Sequence, residues 1–118
     1  MSLLISILSL AAAISAADSK PRAATLTGLV IDTGCYLSHD TKGEKHIPCA
    51  TRCAKDGVPL AILEDVTGTV YLPVALDHKN PNTKLIPFIE KKIKVTGSVL
   101  EKGAMKGVII RTVEAAPF

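Results

Sequence analysis

Lys91-Lys-Ile-Lys-Val-Thr-Gly-Ser-Val-Leu-Glu101 is the stretch that decides the fold. Ile93, Val95, Gly97 and Val99 fall on one face, and Lys92, Lys94, Thr96 and Ser98 fall on the other. This period of two is that of a strand with one face in a core and one in water. Lys102-Gly103 supplies a tight turn, and Met105 to Val113 returns as a last strand.

Working back toward the N-terminus, Thr83 to Ile89 reads as a short helix or turn, and Asp77 to Thr83 is polar and rich in turn residues. Val58 to Glu64 and Thr69 to Leu76 are apolar runs around the turn Asp65-Val-Thr-Gly68, which predicts a hairpin. Pro73 cannot donate to a ladder and marks an edge or a bulge in the second of these strands. Pro48 opens a short helix over Pro48–Lys55, stopped by Asp56-Gly57. Gly34 to Ile47 is irregular and polar. Thr25 to Thr33 is the first strand, with Gly28 marking a bulge or a tight barrel bend.

The fold class is therefore mainly β. Five strands are expected, with a short cysteine-bearing helix between strands 1 and 2 and a short helix between strands 3 and 4. That is the arrangement of an OB-like Greek-key barrel. It occupies residues 25–115, behind a flexible leader at 18–24.

The first residues belong to a different kind of segment. Leu3 to Ala17 carries no charge and ends in Ser15-Ala16-Ala17 before Asp18. The run is shorter than the ~20 apolar residues of a membrane span, and a small-x-small end is the mark of a signal peptide. Cleavage after Ala17 makes 1–17 an apolar signal helix and places the mature domain in the periplasm or outside the cell, with no stable membrane span. No Lys or Arg precedes the apolar core, so a retained anchor and a buried N-terminal helix are the alternatives.

The net charge is +3, with Lys and Arg scattered, and the aromatic residues are Tyr36, Tyr71, Phe88 and Phe118. Neither the charge nor the stacking surface of a nucleic-acid binder is present. Lys91, Lys92 and Lys94 read as a solvated stripe that discourages edge pairing. Glu64-Asp65 is a hairpin turn, and Gly103 to Gly107 is a hairpin tip rather than a phosphate loop. No Ser-His-Asp order assembles, no catalytic residue is assigned, and an enzyme is the less favoured reading.

The chemistry is concentrated in Cys35-x3-His39-x6-His46-x2-Cys49-x3-Cys53. Residues four apart share a helix face, so Cys49 and Cys53 can converge on one ion. Cys35, His46, Cys49 and Cys53 form a Cys3His set suited to zinc, and the soft thiolates equally suit Cu(I). His39 is a weaker ligand, and Asp32 either orients a ligand or caps the strand end. His78 reads as surface.

The alternative is a disulfide from Cys35 to Cys49 or Cys53, which export would favour and which would contribute on the order of 3 kcal/mol. It leaves an odd cysteine, which points to a reactive thiol, an intermolecular bond or a metal ligand. Three functions follow: a binding protein for copper or zinc, a disulfide-stapled interaction domain for a protein, peptide or glycan, and a thiol-redox protein.

Gly28-Leu-Val-Ile-Asp32 with Cys35, Cys49-Ala50 through Cys53-Ala54 with Gly57-Val-Pro-Leu60, and Val95-Thr-Gly97 together carry a resemblance. The chain resembles a family of small exported bacterial OB-like domains of uncharacterised function. The resemblance covers most of the mature domain and implies a fold and a compartment, with no catalytic residue carried over. Separately, the Cys-x3-Cys element with a remote His is similar to the copper motif of Sco-type assembly proteins, without the thioredoxin-like pattern of that family.

Overall fold

The computed structural model describes residues 19–39 and 43–117. The expected signal segment, 1–17, lies outside the described residues. Five strands close into a barrel: β1 (Ser19–Asp32), β2 (Leu60–Glu64), β3 (Val70–Pro73), β4 (Lys92–Lys102) and β5 (Met105–Ala115). Their order around the barrel is β1-β2-β3-β5-β4, and β4 returns to β1 to complete the ring. β3 and β5 run parallel, through Leu72 opposite Gly107 and Pro73 opposite Val108; the other four pairings are antiparallel.

The alternation read in Lys91–Glu101 sets the barrel interior. Ile93, Val95 and Val99 are buried and meet Leu26 and Val30 of β1, Leu60 and Ile62 of β2, and Val108 and Ile110 of β5. Gly97 has a specific reason to lack a side chain. The β4–β5 register shifts between Thr96 and Gly97, and a Cβ on Gly97 would overlap the carbonyl oxygen of Ile109. That carbonyl belongs to a paired strand and cannot swing aside. Gly97→Ala is therefore expected to cost about 2–3 kcal/mol in urea unfolding. A loss below 1 kcal/mol would show that the bulge relaxes freely.

Several boundaries differ from those read in the sequence. The segment 18–24, expected to be a flexible leader, is part of β1 from Ser19 onward: Arg22, Ala23 and Ala24 pair with Val99, Ser98 and Gly97. A long β4 gives these residues a ladder that their composition alone does not demand. β3 stops at Pro73 rather than running to Leu76. The short helix or turn expected over Thr83–Ile89 takes the form of a single 3-10 turn, η2 (Ile86–Phe88). The hairpin turn at 65–68 forms as expected, with Glu64 accepting the Thr67 N–H at 3.1 Å.

The largest difference lies between β1 and β2. The stretch expected to be irregular contains a helix, α1 (Thr33–His39), and a 3-10 turn, η1 (Glu44–His46), which leads into α2 (Ile47–Lys55). Cys35 therefore stands in α1 and does not end the first strand. Thr33 closes the base of this excursion by donating its N–H (3.1 Å) and its hydroxyl (2.8 Å) to the Pro59 carbonyl. Among the described residues no helix is long and apolar enough to cross a membrane.

Candidate metal centre

α2 is fixed to the barrel by its smallest residues. Ala50 and Ala54, four apart, are fully buried in the barrel core, and small side chains there let the helix lie close against the strands. Cys49 and Cys53 each precede one of these alanines, so they lie about 100° around the helix from the buried stripe. Cys53 is half-buried and Cys49 is exposed.

The far end of α2 is held by Asn82, which is 1 % exposed. Its side-chain amide donates to the carbonyls of Ala54 (3.0 Å) and Val58 (2.8 Å), and its Oδ1 accepts the Leu60 N–H at 2.9 Å. One side chain thus satisfies the C-terminal end of α2 and the first residue of β2 together. Asn82 was not legible as structural from the sequence, where it sits in a polar turn.

Asp32 ends β1 and is 2 % exposed. Its Oδ1 accepts the Cys35 N–H at 2.9 Å, three residues on, as a helix N-cap does. The carboxylate expected either to orient a ligand or to cap the strand end caps α1 instead, and in doing so sets Cys35 beside itself. His46 enters from the other side, at the end of η1. One ligand atom from each of Asp32, Cys35 and His46 lies within 4.8 Å of the other two. These three side chains are a group that could hold a metal ion.

Two observations mark this place chemically. His46 Nε2 is buried and has no hydrogen-bond partner, an arrangement that costs free energy unless something coordinates it. Partial burial pushes the Cys35 thiol pKa up, and the negative charge of Asp32, its hydrogen bond to the thiol, and then Cys49 and Cys53 push it further. Burial also raises the Cys53 thiol, followed by the Cys49 thiol beside it and Asp32, with Arg52 acting weakly in the opposite direction. Asp32 and Cys49 therefore lie within electrostatic reach of the Cys35 and Cys53 thiols, although Cys49 and Cys53 stand outside the 4.8 Å group. All three cysteines are free thiols. His39 is exposed at the end of α1, and His78 is exposed in the turn at 77–80 with φ 60°; neither joins the group.

Glu90 is a second residue that sequence reasoning missed. Its φ of 60° is unusual for a residue with a Cβ. The backbone is held there by its own N–H on the Val30 carbonyl at 2.9 Å. Its Oε2 accepts the Gly43 N–H at 2.8 Å, while Oε1 is buried without a partner. The Gly43 carbonyl in turn accepts the His46 N–H at 3.0 Å. Glu90 thereby clamps the turn that delivers His46. Glu90→Ala is expected to speed hydrogen exchange at the Gly43 amide and to weaken metal binding about tenfold, as loss of a supporting contact does. Glu90→Gln, which keeps an acceptor, should restore both. Equal behaviour of the two variants would refute the clamp.

What the arrangement offers is a carboxylate, an imidazole and a thiol converging at the mouth of the barrel, with two further thiols alongside. No protein-family model, curated protein or solved structure matches this chain.

Proposed function

We propose that this is an exported OB-like domain that binds a thiophilic metal ion, zinc or copper, through Asp32, Cys35 and His46 with Cys49 and Cys53 as neighbouring donors. The strand order β1-β2-β3-β5-β4 with its parallel β3–β5 step supports the OB-like reading. The apolar run Leu3–Ala17 with its small-residue end supports export to the periplasm or beyond.

The observation that carries the metal reading is the buried, unpartnered His46 Nε2 within 4.8 Å of the Cys35 and Asp32 donors. A carboxylate and an imidazole beside a thiol favour Zn²⁺; three neighbouring thiols favour Cu⁺. Either ion would bind as a cargo or structural ion, and no catalytic role is assigned.

The direct test is element analysis and titration of the reduced protein with Zn²⁺ and with Cu⁺. One tightly held equivalent of either is the expected result, and no stoichiometric metal would sink the reading. Affinity should also depend on pH with a definite sign. Metal binds the thiolate, and the Cys35 and Cys53 thiols are held above the ordinary range, so binding releases protons. Apparent affinity is expected to rise between pH 6 and 8, by up to about tenfold per pH unit for each thiol proton displaced. A flat profile would remove the thiols from the ligand set.

A second reading keeps the barrel as an interaction domain. A cavity of about 450 Å³ opens between α1, β3 and the β4–β5 turn, lined by Ile31, Tyr36, Leu37, Leu72 and Met105. Leu37 and Met105 are largely exposed at its rim, which suits an apolar protein or peptide surface. The thiol-redox reading gains no support from Cys35 and Cys53, because thiols with raised pKa values are poor nucleophiles near neutral pH.

A further inference from the structure

The three gathered donors do not stand on equally firm parts of the fold. Asp32 is the last residue of β1, paired with Leu60 in the β1–β2 ladder. His46 is the N-cap of α2, whose Ala50 and Ala54 are locked in the barrel core. Cys35 alone stands on α1, and no residue of that helix is buried. α1 has seven residues, far short of the ~12–15 that hold a helix together in water without help. Thr33 donates to Pro59 and the Cys35 N–H donates to Asp32, both from its first turn. Further along, Tyr36 and Leu37 border the cavity of about 450 Å³ rather than a packed core, and Leu37 is 83 % exposed.

We propose that the ion seats α1, so that metal occupancy sets one wall of the apolar cavity. The inference rests on the metal reading above. With the site filled, the bond from the Cys35 sulfur ties α1 to Asp32 and His46, which stand on parts of the fold that cannot follow it outward. With the site empty, the helix is held chiefly at its first turn, and it opens and closes as a unit. The ion binds the seated form, because there the three ligand atoms lie within 4.8 Å of one another. A ligand shifts an equilibrium by its preference for one of the two states. In the empty protein the seated form also keeps His46 Nε2 buried and unpartnered, a cost that the ion removes.

The test follows amide hydrogen exchange in the reduced protein, empty and then loaded with one equivalent of Zn²⁺ or, under anaerobic conditions, Cu⁺. In the empty protein the amides of Leu37, Ser38 and His39, at the end of α1, are expected to exchange at least about 100-fold faster than those of the β4–β5 ladder. Loading should slow them at least about tenfold. Leu37→Gly is the second arm, since Leu37 is not among the donors. Glycine weakens a helix by an amount worth about fivefold in an equilibrium constant. If α1 seats only with the ion, that loss appears as metal affinity about fivefold weaker, and the thermal midpoint of the empty variant stays at the wild-type value. A helix already seated in the empty protein would instead show the loss as a lower midpoint at unchanged affinity.

Three outcomes would overturn the proposal while leaving metal binding intact: α1 amides as slow as the ladder in the empty protein, α1 exchange unchanged by the ion, or a Leu37→Gly variant with wild-type affinity. A wild-type protein that takes up neither ion overturns the metal reading itself, and this proposal with it.

Discussion

Cys35→Ser and His46→Ala are each expected to reduce metal affinity by about 100-fold or more, equivalent to ~2.7 kcal/mol of binding free energy. Both side chains contribute an atom to the group gathered within 4.8 Å, and His46 Nε2 has no protein partner to return to. Removal of either leaves the ion with two close donors and the outer thiols. His39→Ala and His78→Ala serve as controls: both residues are exposed and outside the group, and affinity should be unchanged. Asp32 needs a more careful variant, because it does two things. Asp32→Asn keeps an oxygen that can accept the Cys35 N–H and so preserves the cap, which by itself is worth about 1 kcal/mol. It removes the carboxylate charge. A fall in affinity without a fall in stability would assign Asp32 to the ion, whereas an equal effect from His39→Ala would show that the ligand set is wrong.

Asn82→Ala is expected to be the most destabilising single change in the barrel, by about 3–4 kcal/mol. It strips the partner from the buried Leu60 N–H and from the Val58 carbonyl, and removes one of three donors to the Ala54 carbonyl, leaving Asn80 and the Gly57 N–H. Each buried group left unpaired costs about 1–3 kcal/mol, and a domain of this size has only about 5–15 kcal/mol in total. The midpoint of thermal unfolding should fall by about 15–25 °C. Urea unfolding should show the change in midpoint rather than in slope. Asn82→Asp is a sharper probe: it keeps the acceptor for Leu60 but sets a carboxylate oxygen against two carbonyls, so it should be no better than alanine. A loss under 1 kcal/mol for Asn82→Ala would mean that water replaces the amide, and that α2 is not anchored as described. Because Asn82 fixes the end of the helix that carries Cys53, metal affinity should fall along with stability.

The sequence by itself determined that five strands follow one another in this order and which residues of β4 face inward. Alternation in Ile93, Val95 and Val99 is a local property, because successive side chains on a strand must point to opposite faces. Pro48, Asp56 and Gly57 likewise bounded α2 through backbone preferences that act over a few residues. Part of the candidate group was also legible: Cys35 and His46 belong to the Cys/His cluster that spans nineteen positions, whereas Cys49 and Cys53 of that cluster stand outside the group that the structure gathers.

Tertiary structure decided how those residues are shared out. Asp32, read as either a ligand orienter or a strand-end cap, joins Cys35 and His46 because it caps a helix that only the closure of Thr33 onto Pro59 makes compact. Residues 19–24 became strand because β4 is long enough to pair Ser19, Arg22, Ala23 and Ala24. Glu90 and Asn82 gave no local signal at all. Their partners lie 47 and 22 or more residues away, and a hydrogen bond between distant segments leaves no periodicity in either.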